Sequence, residues 1–184
     1  ERGYRFASLD AATWCDHLAT FRAAANAMFG NNPGFRPLSA EAFAARYGAG
    51  LARLLCPRTS VVAYAPDGSI AGFHLTMPHY GPLLVQGAGA ARVPLADLSY
   101  ECHLPTLIAA NRPLVGIGKT LGVHPTHRGS GLMHAMLQHA LDGGDSLYDS
   151  WFAALIRHDN VTATALRESE TARRWYGLYG KRLT

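Results

Sequence analysis

Apolar side chains along the chain recur first at helical and then at strand spacing, and the switches between the two periods locate most of the elements. Trp14, Leu18, Phe21, Ala25 and Met28 share one helical face behind Asp10, a good N-cap, which predicts a helix over 10–29. Residues 4–8 before it read as a short strand. After the turn-rich Gly30-Asn31-Asn32-Pro33-Gly34, Ser39 is placed to cap a second helix over 40–55, with Phe43, Tyr47, Leu51 and Leu54 on one side. Residues 60–65 and 70–76 are β-rich runs joined by Pro66-Asp67-Gly68, which predicts an antiparallel hairpin. From 78 to 112 the pattern gives way to Gly, Pro and Ala, with a short helix near 104–111. A connection of that length is a natural place for substrate contacts. Beyond it, 113–123 reads as a strand, 131–141 as a helix, 151–156 as a strand, 161–168 as a helix and 173–183 as a final extended run. The order β-αα-β-β-β-α-β-α-β predicts an α/β domain over 1–184, with a mixed sheet and helices on both faces.

Composition narrows the class. Of 184 residues 48% are apolar and 16% charged, which excludes a disordered chain, a collagen-like repeat and a coiled coil. No stretch approaches the roughly 18 consecutive apolar residues of a membrane span, and the first residues lack the apolar core of a signal peptide. The expectation is a soluble, cytoplasmic protein with no membrane partner. Cys15, Cys56 and Cys102 are too few and too widely spaced for a disulfide framework or a metal clamp. A net charge of +4 favours an anionic partner, which nucleic acid, a phosphorylated cofactor and an acidic carrier protein all satisfy.

The chemistry concentrates in Lys119-Thr120-Leu121-Gly122-Val123-His124-Pro125-Thr126-His127-Arg128-Gly129-Ser130-Gly131-Leu132, which runs from strand through a Gly-rich turn into a helix. Small residues there let backbone N–H groups converge on a phosphate at the positive end of the helix, and Arg128 adds charge-assisted hydrogen bonds. Along the strand Val115, Ile117, Lys119, Leu121 and Val123 alternate with Gly116, Gly118, Thr120 and Gly122. Strict alternation makes one face bulky and the other nearly bare, and a bare strand face marks close approach of a backbone or a ligand. The ligand implied is long, with an amide-bearing arm beside the strand and a pyrophosphate at the helix N-terminus.

These features resemble the GCN5-related N-acetyltransferase (GNAT) family, whose signature Arg/Gln-x-x-Gly-x-Gly/Ala is matched by Arg128-Gly129-Ser130-Gly131-Leu132-Met133 after Val123-His124-Pro125. Met133 departs from the small residue usual at the last position. Asn160, followed by Ala163 and Leu166, is similar to the start of the family's later helix. The resemblance implies a GNAT-like, mostly antiparallel central sheet and acyl transfer from acetyl-CoA, or another acyl-CoA, to an amine in a ternary complex. It assigns the coenzyme to Leu121, Gly122, Val123, Arg128, Gly129, Ser130, Gly131, Leu132 and Asn160. Backbone N–H groups of Leu121, Gly122 and Val123 can supply the donor for the thioester oxygen. Many members use a Tyr as the acid one residue beyond the Leu166 position; here that residue is Arg167. Thr120, the only hydroxyl on the bare face, and His158, at the end of the 151–156 strand, are the catalytic candidates. By type and placement they resemble the Thr/His pair of GNAT-like loading domains, which decarboxylate malonyl-type acyl-CoA and serve a carrier-protein thiol. A small-molecule amine acceptor is the first reading, a carrier protein the second, and a non-catalytic acyl-CoA-binding domain the third.

The remaining candidates have bland counterparts. His124 and His127 are three apart across Pro125, and His134 and His139 five apart, so neither pair has the spacing of a helical zinc clamp and no metal is expected. Glu101, Cys102 and His103 read as a solvated loop. His74 and His79 flank Met77-Pro78, where the resemblance implies acceptor contact. Tyr176 and Tyr179 line a cleft or pack, and Arg173, Arg174, Trp175, Lys181 and Arg182 make a cationic edge too scattered to read as a nucleic-acid surface.

Overall fold

The computed structural model describes residues 3–32, 35–85, 92–110, 113–153, 156 and 171–174. Residues 1–154 form one compact unit, which carries every described strand and helix. Strand β1 (Arg5–Ser8) leads into α1 (Ala11–Asp16), whose N-terminus is closed by Asp10: its Oδ1 accepts from the Thr13 N–H at 2.7 Å. That bond holds the Asp10 carboxyl below its ordinary pKa. The single helix expected over 10–29 is two, α1 and α2 (Leu18–Phe29), separated by His17. Both halves bury the same apolar face, so the periodicity runs unbroken through the kink. Ser39 caps α3 (Ala40–Tyr47) through the Ala42 N–H at 3.1 Å. The helix expected over 40–55 also divides, into α3 and the short α4 (Ala49–Ala52). At Gly48, between them, any Cβ would collide with the Ala44 carbonyl.

Strands β2 (Val61–Tyr64) and β3 (Ile70–Pro78) form the expected hairpin, with Gly68 in the turn at φ +83°. A short helix α5 (Gly81–Leu84) follows, and α6 (Tyr100–Ala109) starts earlier than expected because Ser99 caps it. Glu101, Cys102 and His103 therefore occupy the first turn of a helix, not a loop. Strand β4 (Val115–Val123), helix α7 (Leu132–Gly144) and strand β5 (Ser150–Ala153) complete the described elements. The sheet order is β1-β2-β3-β4-β5, antiparallel throughout except for the parallel β4–β5 pair that α7 connects. The sheet is mixed and mostly antiparallel, as expected. The helix over 161–168, and all of the final run except Arg173 and Arg174, lie outside the described residues.

Helices pack on both faces. On one, Trp14, Phe21, Phe43 and Phe73 make the main core, with the Trp14 and Phe21 rings stacked at 4.5 Å and Phe21 edge-on to Phe73 at 5.8 Å. On the other, Leu132 and Met136 of α7 cover Val61, Ala63 and Ala71. Between β3 and the loop before β2, buried hydroxyls satisfy one another: Thr59 Oγ1 lies 2.5 Å from Thr76 Oγ1, and Ser60 Oγ donates to the Thr76 carbonyl at 3.1 Å.

Candidate functional site: the open edge of the fourth strand and the glycine turn

Two irregularities in β4 build the site. The first is an extra residue. Leu75 of β3 pairs with Thr120 whereas Thr76 pairs with Gly118, so Lys119 bulges from the ladder. A bulge reverses the alternation of side chains, and the bare face expected from strict alternation does not exist as one face. On the α7 side, Gly116 lies under Trp151, whose ring would be 2.7 Å from an added Cβ, and Gly118 lies beside His74. After the bulge, Thr120 and Gly122 turn to the α2 side, where a Cβ on Gly122 would lie 2.7 Å from Met28 Sδ and 2.9 Å from Phe29 Cζ. The space the glycines leave is filled largely by the protein's own side chains.

The second is the reach of the pairing with β5: among the described residues β5 matches β4 from Val115↔Ser150 to Gly118↔Ala153, and Lys119 to Val123 pair with β3 alone. Which amides face the gap follows from two hydrogen bonds. The His124 N–H donates to the Ala71 carbonyl of β3 at 2.8 Å, and the N–H of His79, just past β3, donates to the Val115 carbonyl at 2.8 Å. Alternation from His124 turns the backbone of Gly122 and Thr120 toward β3 and that of Leu121 and Val123 toward the open side. Of the three expected backbone donors, Leu121 and Val123 are thus placed for a ligand, while Gly122 serves the ladder and the packing of α2.

The open edge runs into the turn before α7. Gly129 and Gly131 both have positive φ, +72° and +83°, with no atom within 4 Å of an added Cβ. Ser130 Oγ donates to the His127 carbonyl at 2.7 Å and accepts from the Leu132 N–H at 3.3 Å, which fixes the turn. The N–H groups of Gly129, Ser130 and Gly131 find no acceptor among the described residues. Left-handed residues on either side of Ser130, at the positive end of a 13-residue helix, make a concave cluster of donors suited to an anion. Arg128 is committed in part elsewhere: its Nη2 donates to the Met28 carbonyl at 2.8 Å, tying the exposed carbonyl end of α2 to the turn.

Thr120 lines a cavity of about 60 Å³ between β3, β4 and the first helices, walled by the rings of Trp14, Phe29, Phe35, Phe43, Tyr47 and Phe73. Its hydroxyl makes no hydrogen bond with any described residue. On the opposite face His74 is 4% exposed, with Nδ1 unpartnered among the described residues. Burial lowers its pKa to about 4, a nearby backbone group of Met136 offsetting this only in part, so the ring is neutral at pH 7. It is a core histidine beneath α7 rather than an acceptor contact; His79 is exposed. His124 and His127 are held by Thr126 and Tyr4, and no group of three metal-ligating side chains exists among the described residues. His158, Asn160, Arg167, Tyr176 and Tyr179 lie outside the described residues. Sequence reasoning missed the bulge and the aromatic cavity. Trp14 and Phe43 carried a signal for the latter only as members of helical apolar faces.

No protein-family model matches the chain, and no curated protein matches its sequence. Solved structures do. An aminoglycoside acetyltransferase from an uncultured soil metagenomic sample, in complex with sisomicin, superposes with a TM-score of 0.56 at 11% identity, over 98% of this chain and 97% of that one. The chain has the GNAT fold. The ribosomal-protein-alanine N-acetyltransferase of Brucella melitensis biovar Abortus 2308 matches at 0.54 and 15% identity, over 98% and 100% of the two chains. AAC(6')-Iy in complex with the bisubstrate analogue CoA-S-monomethyl-acetylneamine matches at 0.53 and 16%, over 98% and 99%. No helix among the described residues is long and apolar enough to cross a membrane.

Proposed function

We propose that the protein transfers an acyl group from an acyl-CoA, in the simplest case acetyl-CoA, to a small amine by direct attack in a ternary complex. The observation that carries this is the continuity of unpaired donors from Leu121 and Val123 on the open edge of β4 into the Gly129–Gly131 turn. It matches a long ligand with amides at one end and a pyrophosphate at the other. The GNAT-fold structure that holds a CoA conjugate supports the same donor.

In this reading the N–H groups of Gly129, Ser130 and Gly131 face the pyrophosphate, with Leu132 bonded to Ser130 Oγ at the start of the helix, while Arg128, tethered to α2, adds positive charge at its side. Leu121 and Val123 bond the amides of the pantetheine arm. That places the thioester near the bulge, where the Thr120 hydroxyl can donate to the carbonyl oxygen as it gains charge. An ammonium first gives a proton to a base, the free amine attacks the carbonyl carbon, the C–S bond breaks, the nitrogen loses its second proton and the leaving thiolate takes one. For the acid or base of these transfers the sequence candidate is His158, with Asn160 the candidate on the coenzyme side.

A carrier-protein thiol in place of the amine, with decarboxylation of a malonyl donor, draws support from Thr120 alone. Its hydroxyl faces a cavity with no charged lining among the described residues, where a carboxylate would be poorly solvated. Thermal unfolding with free, acetyl- and malonyl-CoA tests the donor. Ligand at about 100 times Kd stabilises by about 2.7 kcal/mol, a shift of about 5–10 °C at this size. No shift with any of the three overturns the reading, and loss of CO₂ from malonyl-CoA selects the carrier-protein route.

A further inference from the structure

We propose that the cavity beneath Thr120 is an acyl-chain pocket, and that the preferred donor carries an unbranched apolar acyl group of about four to six carbons rather than acetyl. The inference rests on the reading that the open edge of β4 holds acyl-CoA. Thr120 links the two regions: its backbone belongs to the stretch of β4 that no described residue of β5 pairs with, and it forms part of the cavity wall. An acyl group bonded to a thioester beside this stretch lies next to this partly open cavity.

The chemistry of the wall selects the occupant. Phe29, Phe35 and Phe73 present rings, and no described lining residue is charged at neutral pH. Two of the polar groups in the lining residues are engaged within the protein. Trp14 Nε1 donates to the Tyr47 carbonyl at 2.6 Å, and the Asn26 amide both donates to and accepts from the backbone of Leu38, at 3.3 and 3.2 Å. The Thr120 hydroxyl is left to meet a single polar atom at the cavity mouth, which is what the carbonyl end of an otherwise apolar chain provides. An acceptor entering the cavity would bring an ammonium among described lining residues that offer neither a counter-charge nor a base, and desolvation without compensation would oppose it. The acceptor therefore reaches the thioester from outside this cavity.

Size sets the length. A water-sized group takes about 10–15 Å³ of such volume, so a cavity of about 60 Å³ holds about four to six heavy atoms. The methyl of an acetyl group would fill one of these places and leave aromatic surface uncovered.

The test is equilibrium binding of the intact protein to free CoA and to acetyl-, butyryl-, hexanoyl- and dodecanoyl-CoA. Each methylene buried tightens binding about fourfold, so hexanoyl-CoA should bind at least tenfold more tightly than acetyl-CoA, and dodecanoyl-CoA should gain nothing further. Phe35→Ala, at a half-buried loop position, enlarges the cavity and should move the optimum to longer chains with free CoA affinity unchanged. If free CoA binds and all four acyl forms bind within twofold of one another, the pocket proposal fails while the coenzyme reading stands. If no form binds, the coenzyme reading fails and takes the proposal with it. Hexylamine binding without CoA, abolished by filling the cavity with Ala25→Leu, would reassign the pocket to the acceptor.

Discussion

Replacing Gly131 by Ala separates the anion cradle from mere fold stability, because the structure supplies an internal control. Gly131 has φ +83° with no atom within 4 Å of an added Cβ, so the substitution meets no steric obstacle and its whole cost is conformational. Holding an alanine in the left-handed region costs about 1–2 kcal/mol. At this chain length that lowers the unfolding midpoint by about 2–8 °C. Gly68, in the β2–β3 turn, has the same φ of +83° and the same open surroundings, so Gly68→Ala should destabilise by a similar amount. Only one of the two glycines shapes the cluster of N–H groups at the start of α7. If Gly131→Ala relaxes out of the left-handed region, at least one donor turns away from the pyrophosphate. A charge-assisted hydrogen bond is worth about 1.5–3 kcal/mol, which is about ten- to a hundredfold in Kd. Isothermal titration with CoA, beside thermal melts of both variants, makes the comparison. Equal CoA affinity in the two variants at matched loss of stability would refute the assignment of Gly129–Gly131 as the pyrophosphate site.

Three further outcomes follow from single contacts. His74 is neutral in the folded protein down to about pH 4 but takes a proton near pH 6.5 when unfolded, so its contribution to stability is constant above pH 6.5 and is lost as pH drops toward 4. The loss from this group reaches about 3 kcal/mol at pH 4, and denaturant melts of His74→Gln should show a shallower acid slope than the parent. Arg128→Gln removes the bond to the Met28 carbonyl and should cost about 1–2 kcal/mol in urea unfolding as well as weakening CoA; unchanged stability would show that the tether is idle. Thr120→Val keeps the shape of a half-buried strand residue, so CoA affinity should hold within twofold while the turnover rate falls at least tenfold in an acyl-transfer assay. An unaffected rate removes Thr120 from the reaction.

Local chemistry made much of the fold readable. The caps at Asp10 and Ser39 and the Pro66-Asp67-Gly68 turn act over three or four residues, and all three stand where the sequence placed them. The breaks at His17 and Gly48 were invisible for a packing reason: the helices on either side bury the same face, so apolar spacing continues through the interruption. Pro105 inside α6 masked a helix whose true start is the cap at Ser99. The bulge at Lys119 mattered most for the site. A period-2 pattern of small residues looks the same with or without an extra residue in the ladder, and only the register with β3 shows that Gly116 and Gly122 face opposite sides. The aromatic cavity was likewise unreadable, since Trp14, Phe35 and Phe73 come from three separate elements that meet only in the folded chain.

The most direct test of the central claim is backbone amide hydrogen exchange with and without CoA, read residue by residue. The account predicts slowed exchange at Leu121, Val123 and the Gly129–Gly131 turn, with Gly122, already bonded toward β3, unchanged. Binding of CoA that leaves those amides unprotected, or protects a different strand edge, would contradict it.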